Sequence, residues 1–461
     1  MTNYGFVIDN RTCIGCHACT VACKSEHDVP IGVNRTHVKY IETGTYPHSG
    51  REFTVHRCNH CEDAPCTTIC PTTALFIRAD GIVDFDDDRC IGCKSCMQAC
   101  PYDALYIDPN KGTAAKCNYE PACVIVCPTE AIISGDLDDP NSKIAMLVAS
   151  HDTTVRKPES GATPNVFYIE TSEEMLDPSA TEFTGGGMWT EQEFGVGHFA
   201  KYAETRAAEA DTHSMIVQLA LEKKAKAAAP RDQAIIRDVA AKLAVQSPKA
   251  KRVYDQPSKG VLWGYEVSAY IWTKAIAAGT YMMAMLAMLS GYLEMTDALW
   301  WMVLSIGLFF LVVTGLLLVK DLDRPERFLY VLLRPNWDSW LVKGAYILAG
   351  FSGVLSASVV VLLFDLDREL LTYLAYAGIP LAALTGVYTA WLFQQAKARS
   401  WANDRALPIK FLVETMVIGS ATLLFLVGQT LVTYVVGALI LGLLFHHINK
   451  GVFSAQMEPL L

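Results

Sequence analysis

Fifteen cysteines carry the first sign of chemistry, and all of them fall between Cys13 and Cys127. They come in four groups. Cys13, Cys16, Cys19 and Cys23 share the spacing C-x-x-C-x-x-C-x-x-x-C with Cys90, Cys93, Cys96 and Cys100. Cys58, Cys61, Cys66 and Cys70 have a wider middle gap, and the last group has only Cys117, Cys123 and Cys127. Pro71, Pro101 and Pro128 directly follow the last cysteine of three groups. Such a loop can wrap three thiolates round one face of an iron–sulfur cubane and send the fourth to a neighbouring cluster. Thiolates are soft ligands that suit this use, whereas zinc needs only isolated sets of four. Disulfide staples belong to small secreted scaffolds, and this chain has 461 residues.

The crossing rule predicts a nested pairing of the groups. One cluster would take Cys58, Cys61, Cys66 and Cys100, and another Cys90, Cys93, Cys96 and Cys70. The outer pair would use Cys13, Cys16, Cys19 and Cys127. Cys23, Cys117 and Cys123 are then left for a fourth site that is one thiolate short. It could hold a three-iron cluster or a four-iron cluster with a non-cysteine ligand, or a stretch bearing the missing cysteine has been lost. An internal repeat supports the pairing: Arg11-Thr12-Cys13-Ile14-Gly15-Cys16-His17-Ala18-Cys19 against Arg89-Cys90-Ile91-Gly92-Cys93-Lys94-Ser95-Cys96.

The elements that must position these residues divide the chain into two unlike parts. Residues 1–199 read as an α+β, ferredoxin-like repeat domain ending in an irregular, Gly- and Pro-rich extension, and 200–260 as a helical linker rich in Ala, Lys and Glu. Residues 261–461 read as an all-α transmembrane bundle of about six spans, near 265–292, 298–319, 343–364, 370–394, 409–427 and 429–447. A purely soluble enzyme is excluded. The excess of 48 acidic over 38 basic residues, with no basic patch among aromatics, argues against a nucleic-acid partner.

Orientation follows from the basic residues. Lys249, Lys251, Arg252, Lys259, Lys320, Arg324, Arg327, Arg334, Lys343, Lys397, Arg399, Arg405, Lys410 and Lys450 fall on one side of the spans, against Arg368 on the other. The cysteine domain is therefore expected on the cytoplasmic side of the inner membrane. The stretch Met1–Asn10 has neither a signal-peptide pattern nor a twin-arginine pair, so no export address is expected.

The runs 13–24, Cys58-Asn59-His60-Cys61-Glu62-Asp63-Ala64-Pro65-Cys66 and 120–129 resemble the four-cluster electron-transfer subunits of molybdopterin oxidoreductase complexes, of the dimethyl sulfoxide and polysulfide reductase type. In that family the fourth group normally reads C-x-x-C, then about ten residues, then C-x-x-x-C; here Cys117-Asn118-Tyr119 runs straight into Glu120-Pro121, so the second cysteine and the intervening residues are missing. The run Lys320-Asp321-Leu322-Asp323-Arg324-Pro325-Glu326-Arg327 and the stretch from Tyr388 to Lys397 resemble the NrfD or polysulfide-reductase membrane anchor, which usually has eight or more spans. The resemblance implies three [4Fe-4S] clusters plus a fourth of [3Fe-4S] or [4Fe-4S] type. It also implies exchange with a quinone (menaquinone or ubiquinone) and a separate molybdopterin-type catalytic subunit.

Ionisable groups inside a membrane are functional hypotheses by default. Glu266, Tyr270 and Lys274 are four residues apart on one helix face. They could supply donors to a quinone and a proton route from the cluster side, unless they are interfacial or structural pairs. The resemblance places its quinone-site tyrosine at Tyr388. Arg324 could contact the cluster domain or orient the site. Glu414 is a candidate proton carrier, with a structural pair to Lys410 as its alternative. Bis-histidine haem would need facing histidines, and only the adjacent His446 and His447 offer themselves, so no haem is expected. The resulting reading is a membrane-bound electron-transfer subunit that links the quinone pool to a catalytic partner. Rival readings are an energy-coupling, proton-translocating module and a membrane-anchored docking module without its own quinone site.

Overall fold

One local conformation, used twice, organises the cysteine-rich half. Gly15 (φ +68°) and Gly92 (φ +70°) turn the chain between the first two cysteines of their groups, and His17 (φ +61°) and Lys94 (φ +58°) turn it again after the second. An added Cβ at Gly15 would meet the Phe53 ring at 2.5 Å, and one at Gly92 would meet Asp323 at 2.7 Å, so glycine is required on both counts. Each loop then enters a short helix, α1 (Ala18–Glu26) or α3 (Ser95–Ala99). The Cys-Pro ends also match: Thr73, Asp103 and Glu130 all take left-handed φ near +50° two residues after their proline.

The computed structural model describes residues 2–45, 48–177, 181–183, 250–255 and 262–427. Two four-stranded sheets and two hairpins surround the cysteine loops. The first sheet has the order β8-β1-β10-β9, with β1 Tyr4–Asp9, β8 Ile132–Asp136, β9 Thr153–Thr154 and β10 Val166–Ile169. Strand β1 lies parallel to β10 and antiparallel to β8, and its Phe6, Val7 and Ile8 are fully buried. The second sheet, β11-β12-β2-β3, pairs β2 (Thr36–Thr45) with β3 (His48–Arg57) over their full length. The hairpins are β4 (Leu75–Ile77) with β5 (Val83–Phe85), and β6 (Tyr106–Asp108) with β7 (Thr113–Ala115). Short helices α2 (Pro65–Ile69) and α4 (Ala122–Ile125) carry the middle cysteines of the second and last groups.

Two expectations change here. The extension after residue 136 is regular where described, with α5 (Lys143–Ser150), β9, β10 and α6 (Glu173–Leu176). Its apolar residues (Ile144, Val166, Tyr168, Ile169) close the core over β1, which outweighs the local Gly and Pro content. The linker's end is also not helical: Lys251–Tyr254 is strand β12, between β2 and β11 (Glu182–Phe183). There Lys39 Nζ lies 2.8 Å and Arg252 Nη1 2.9 Å from the buried Asp255 carboxylate, a network that holds the strand in place. The rest of the expected linker falls outside the described residues.

Among the described residues five long helices follow: α7 (Tyr265–Leu289), α8 (Asp297–Lys320), α10 (Trp340–Leu363), α11 (Glu369–Gln395) and α12 (Leu407–Val427), with α9 (Tyr330–Leu333) a single turn between α8 and α10. Among the described residues four of them, α8, α10, α11 and α12, are long and apolar enough to cross a membrane, where the sequence leads one to expect six spans. The sixth expected span, 429–447, lies outside the described residues, as do His446 and His447. Helix α7 stands apart because it is the inner helix, packed by α8, α11 and α12. Its buried face mixes alanine and methionine with glycine, threonine, Tyr270, Lys274 and Tyr281, and these polar members leave it less apolar than the other four. At Gly279 and Gly419, α7 and α12 meet backbone to backbone; an added Cβ at Gly279 would lie 2.1 Å from the Thr415 carbonyl. Small residues at a helix crossing permit this approach in a membrane protein.

The two halves meet through the connection from α8 to α10. Backbone N–H groups of Asp323 and Arg324 donate to the carbonyls of Gly92 and Ile91, and Asp323 pairs with Lys94 at 3.0 Å. Arg327 donates to the Asp87 and Cys90 carbonyls (2.6 and 3.0 Å), Asn336 to those of Thr67 and Cys70 (3.2 and 2.7 Å), and Ser339 to that of Ile69 (2.7 Å). Trp263, just before α7, donates to the Cys93 carbonyl at 3.4 Å. The third cysteine loop is thereby fixed on the end of the helical bundle.

Candidate functional site

The folded loops bring together the cysteines that the crossing rule pairs. One cavity is lined by Cys90, Cys93 and Cys96 with Cys70 from the second group, and a second by Cys13, Cys16 and Cys19 with Cys127. Cys61 lies within electrostatic reach of Cys58, Cys66 and Cys100, which gives the third set. Cys23 faces Cys117 and Cys123, leaving the fourth set with three thiols. All three sites with four cysteines are thus closed by one crossing residue.

These donor sets fit clusters. Among the described residues no three His, Cys, Asp or Glu side chains converge closely enough to hold a single ion, while the cysteines ring open cavities. Burial pushes the thiols of Cys19 and Cys93 up to about 12 and that of Cys23 to about 11. Buried thiols with no metal keep their protons, and iron supplies the charge that removes them. Backbone N–H groups already point at sulfur: Ala114 to Cys90 (3.3 Å), Tyr119 to Cys117 (3.4 Å) and Ala131 to Cys127 (3.2 Å). Hydrogen bonds to sulfur and solvent exposure tune cluster potentials.

The sites form a line. The site of Cys70, Cys90, Cys93 and Cys96 abuts the helical bundle through the contacts at Cys90 and Cys93. Cys96 is in reach of Cys66, which leads to the second site. Cys58 is in reach of Cys117, and Cys19 of Cys123, so the three-thiol site lies third and the Cys13 site last. At that far end Cys16 is exposed, and Ile14, Val21 and Ile125 show more than half their surface.

Within the bundle, Lys274 is 1% exposed and donates to the Gly386 carbonyl at 3.1 Å and to the Thr389 hydroxyl. Its ammonium lies 4.3 Å from the centre of the Tyr388 ring, and the hydroxyls of Tyr270 and Tyr388 both reach Thr389. Lys274, Tyr270 and Tyr388 therefore come together as one group, joined by Thr389, which follows Tyr388 in the NrfD-like stretch but carries no spacing signal of its own. Gly344 makes room for it, since a Cβ there would strike the Tyr388 ring at 2.2 Å. Glu414 interacts with both Lys274 and Lys410, but Lys410 forms its ion pair with Asp404 at 2.6 Å. Glu266 stays at the rim, 3.4 Å from Lys320. Arg324 belongs to the junction of the halves, with its Nε 2.6 Å from the Lys111 carbonyl.

A contact path joins the two centres. Trp263, bonded to the Cys93 carbonyl, stacks on Phe393 with ring centres 5.6 Å apart. Phe393 meets Phe411 edge-on at 5.9 Å, and the Phe411 ring centre lies 5.7 Å from the Lys274 ammonium. At the C-terminal end of α8, burial pushes the Asp321 carboxyl up to about 6, Lys94 opposing the shift and Glu266 and Asp323 adding to it.

Comparison with known proteins matches both halves. Residues 50–137 fit the model of a 4Fe-4S dicluster domain, and residues 255–436 that of the polysulphide reductase, NrfD, family. The chain is similar to a polysulfide reductase chain of Wolinella succinogenes, 42% identical over 178 residues that cover 36% of this sequence and 93% of that protein. It is 40% identical over 190 residues to a tetrathionate reductase subunit of Salmonella typhimurium (38% and 75% covered). With the arsenate respiratory reductase iron–sulfur subunit ArrB of a Shewanella species it shares 34% over 222 residues (36% and 95%).

The crossed assignment has a direct test. Cys70→Ser should alter the electron paramagnetic resonance signal of the same cluster as Cys93→Ser, and Cys100→Ser that of the same cluster as Cys61→Ser. Signals grouped by sequence neighbours instead would refute the crossing.

Proposed function

Because this chain is a member of the family of iron–sulfur subunits of polysulfide and tetrathionate reductases, fused here to an NrfD-type membrane domain, we propose that it carries electrons between a membrane quinone and a separate catalytic subunit of molybdopterin type. The observation that carries this reading is the unbroken series of contacts from the Cys93 loop through Trp263, Phe393 and Phe411 to Lys274. The clusters, when bound, supply one-electron relay positions. The chain's own residues do the rest.

Lys274, Tyr270, Tyr388 and Thr389 offer hydrogen bonds to a quinone's oxygens inside the bundle. Such a group is costly in a membrane interior unless it has use for its polarity. Glu266 and Asp321 stand between it and the cluster side, where they pass protons to and from water. Asp321 is within the electrostatic reach of both Tyr270 and Glu266, which suits that task. At the opposite end of the line, exposed Cys16 with Ile14, Val21 and Ile125 forms the face on which the catalytic partner docks. The cysteine domain lies on the cytoplasmic side, because Arg324, Arg327 and Arg399 sit in the loops that hold it. The described far-side loops carry only Arg368, already paired with Asp297 and Asp365.

Three outcomes test this. Lys274→Met should slow cluster reduction by a quinol analogue about 10²-fold or more, with dithionite reduction unchanged; general acid–base groups contribute on that scale. An unchanged rate would leave the membrane half as an anchor. A carboxyl near 6 must lose its proton before it can accept one, so quinol oxidation should rise with pH through about 6 and quinone reduction should fall. Asp321→Asn should remove that limb. Protease should cleave the cysteine domain in inside-out vesicles and spare it in right-side-out ones.

A further inference from the structure

A cation stands beside the three-thiol site. The last cysteine group aligns with the second: Cys117-Asn118-Tyr119-Glu120 against Cys58-Asn59-His60-Cys61. Tyr119 (φ +77°) and His60 (φ +43°) share the left-handed turn, so Glu120 stands where the second group has a ligand. Its carboxylate points the other way, 54% exposed and 3.9 Å from His27. Glu120 is therefore no substitute ligand. What enters the site is Arg57, which is 1% exposed and held with its guanidinium 3.6 Å from the centre of the Phe6 ring. Its Nη2 donates to Cys123 Sγ at 3.1 Å and to Cys117 Sγ at 3.4 Å. Its Nε and Nη1 are buried without a hydrogen-bond partner, so the three N–H donors on these two nitrogens remain for acceptors that are not protein atoms. A buried guanidinium with unmet donors is costly unless a negative group satisfies it.

We infer that Cys23, Cys117 and Cys123 hold a three-iron cluster, and that Arg57 occupies the corner of the missing fourth ligand as its positioning cation. This rests on the proposed relay, in which the site is third in a line of four; a vacancy there would interrupt the line. A four-iron cluster is disfavoured because a cation cannot ligate iron. A fixed positive charge and hydrogen bonds to sulfur favour the more negative, reduced state, so Arg57 raises the potential of this centre.

The full-length protein in detergent supplies the test. As isolated in air it should show the paramagnetic signal of an oxidised three-iron cluster, which oxidised four-iron clusters of this kind lack, with about 15 irons per chain. Arg57→Gln should make that centre about tenfold harder to reduce, a shift of about 59 mV for one electron, with the other centres unmoved. Arg57→Lys, which keeps the charge, should lie between the two. A diamagnetic oxidised protein with about 12 irons would mean a closed thiolate–guanidinium pair, and one with about 16 a four-iron cluster; either overturns the inference. So would an unshifted potential in Arg57→Gln. Quinol reduction of the membrane-proximal cluster is read in the same samples. Its absence would count against the quinone site and leave the role of Arg57 untouched.

Discussion

Exchange of one cysteine between paired loops is the constraint on which the rest depends. Cys70 closes the site of a loop that begins twenty residues later, and Cys127 closes one that begins near the N-terminus. No cysteine loop can therefore form its site alone. The first sheet enforces the outer exchange, since β1 leads into the Cys13 loop while its neighbour β8 follows Cys127. Folding of the domain and filling of its sites are one process for the same reason that metal-binding energy becomes folding energy in small metalloproteins.

Charge compensation sets the second layer. Buried thiolates need cations, and the domain provides Lys116 and Arg57, both nearly without solvent contact. Lys116 donates to the Cys117 carbonyl at 2.9 Å, close to the junction of the second and third sites. The Cys117 thiol, raised by burial, is brought below its ordinary range mainly by Arg57, with the Tyr119 N–H and Lys116 adding to the effect. In the helical half the same difficulty is met differently. Lys274 has carbonyl, hydroxyl and aromatic partners inside the bundle, and Glu414 stands within reach.

Much of this was legible in the sequence, because cysteine spacing and twenty-residue apolar runs are local signals. The grouping of the cysteines and the positions of the five long helices among the described residues follow from them. Tyr270 and Lys274 were legible as a helix stripe, but the stripe divides: Glu266 turns to Lys320, while the deeper two turn to α11. Thr389 and Arg57 carry no spacing signal, although Arg57 adjoins Cys58, and only the third dimension shows what they face. Strand β12 reads as linker in the sequence because four residues are too few to announce a strand. Its partner, β2, lies some two hundred residues earlier.

The junction between the halves has one further consequence. Arg327, Asn336, Ser339 and Trp263 donate side-chain hydrogen bonds to main-chain carbonyls in or next to the cysteine loops, the Arg324 backbone N–H donates to that of Ile91, and the Arg324 guanidinium to that of Lys111 in the β6–β7 turn. Main-chain acceptors are present whatever side chain a position carries. The membrane half thus recognises the path of its neighbour's backbone more than its residue types. Sequence drift in those loops leaves the attachment intact as long as the cysteines and turns persist, which makes this a joint that tolerates independent change on its two sides.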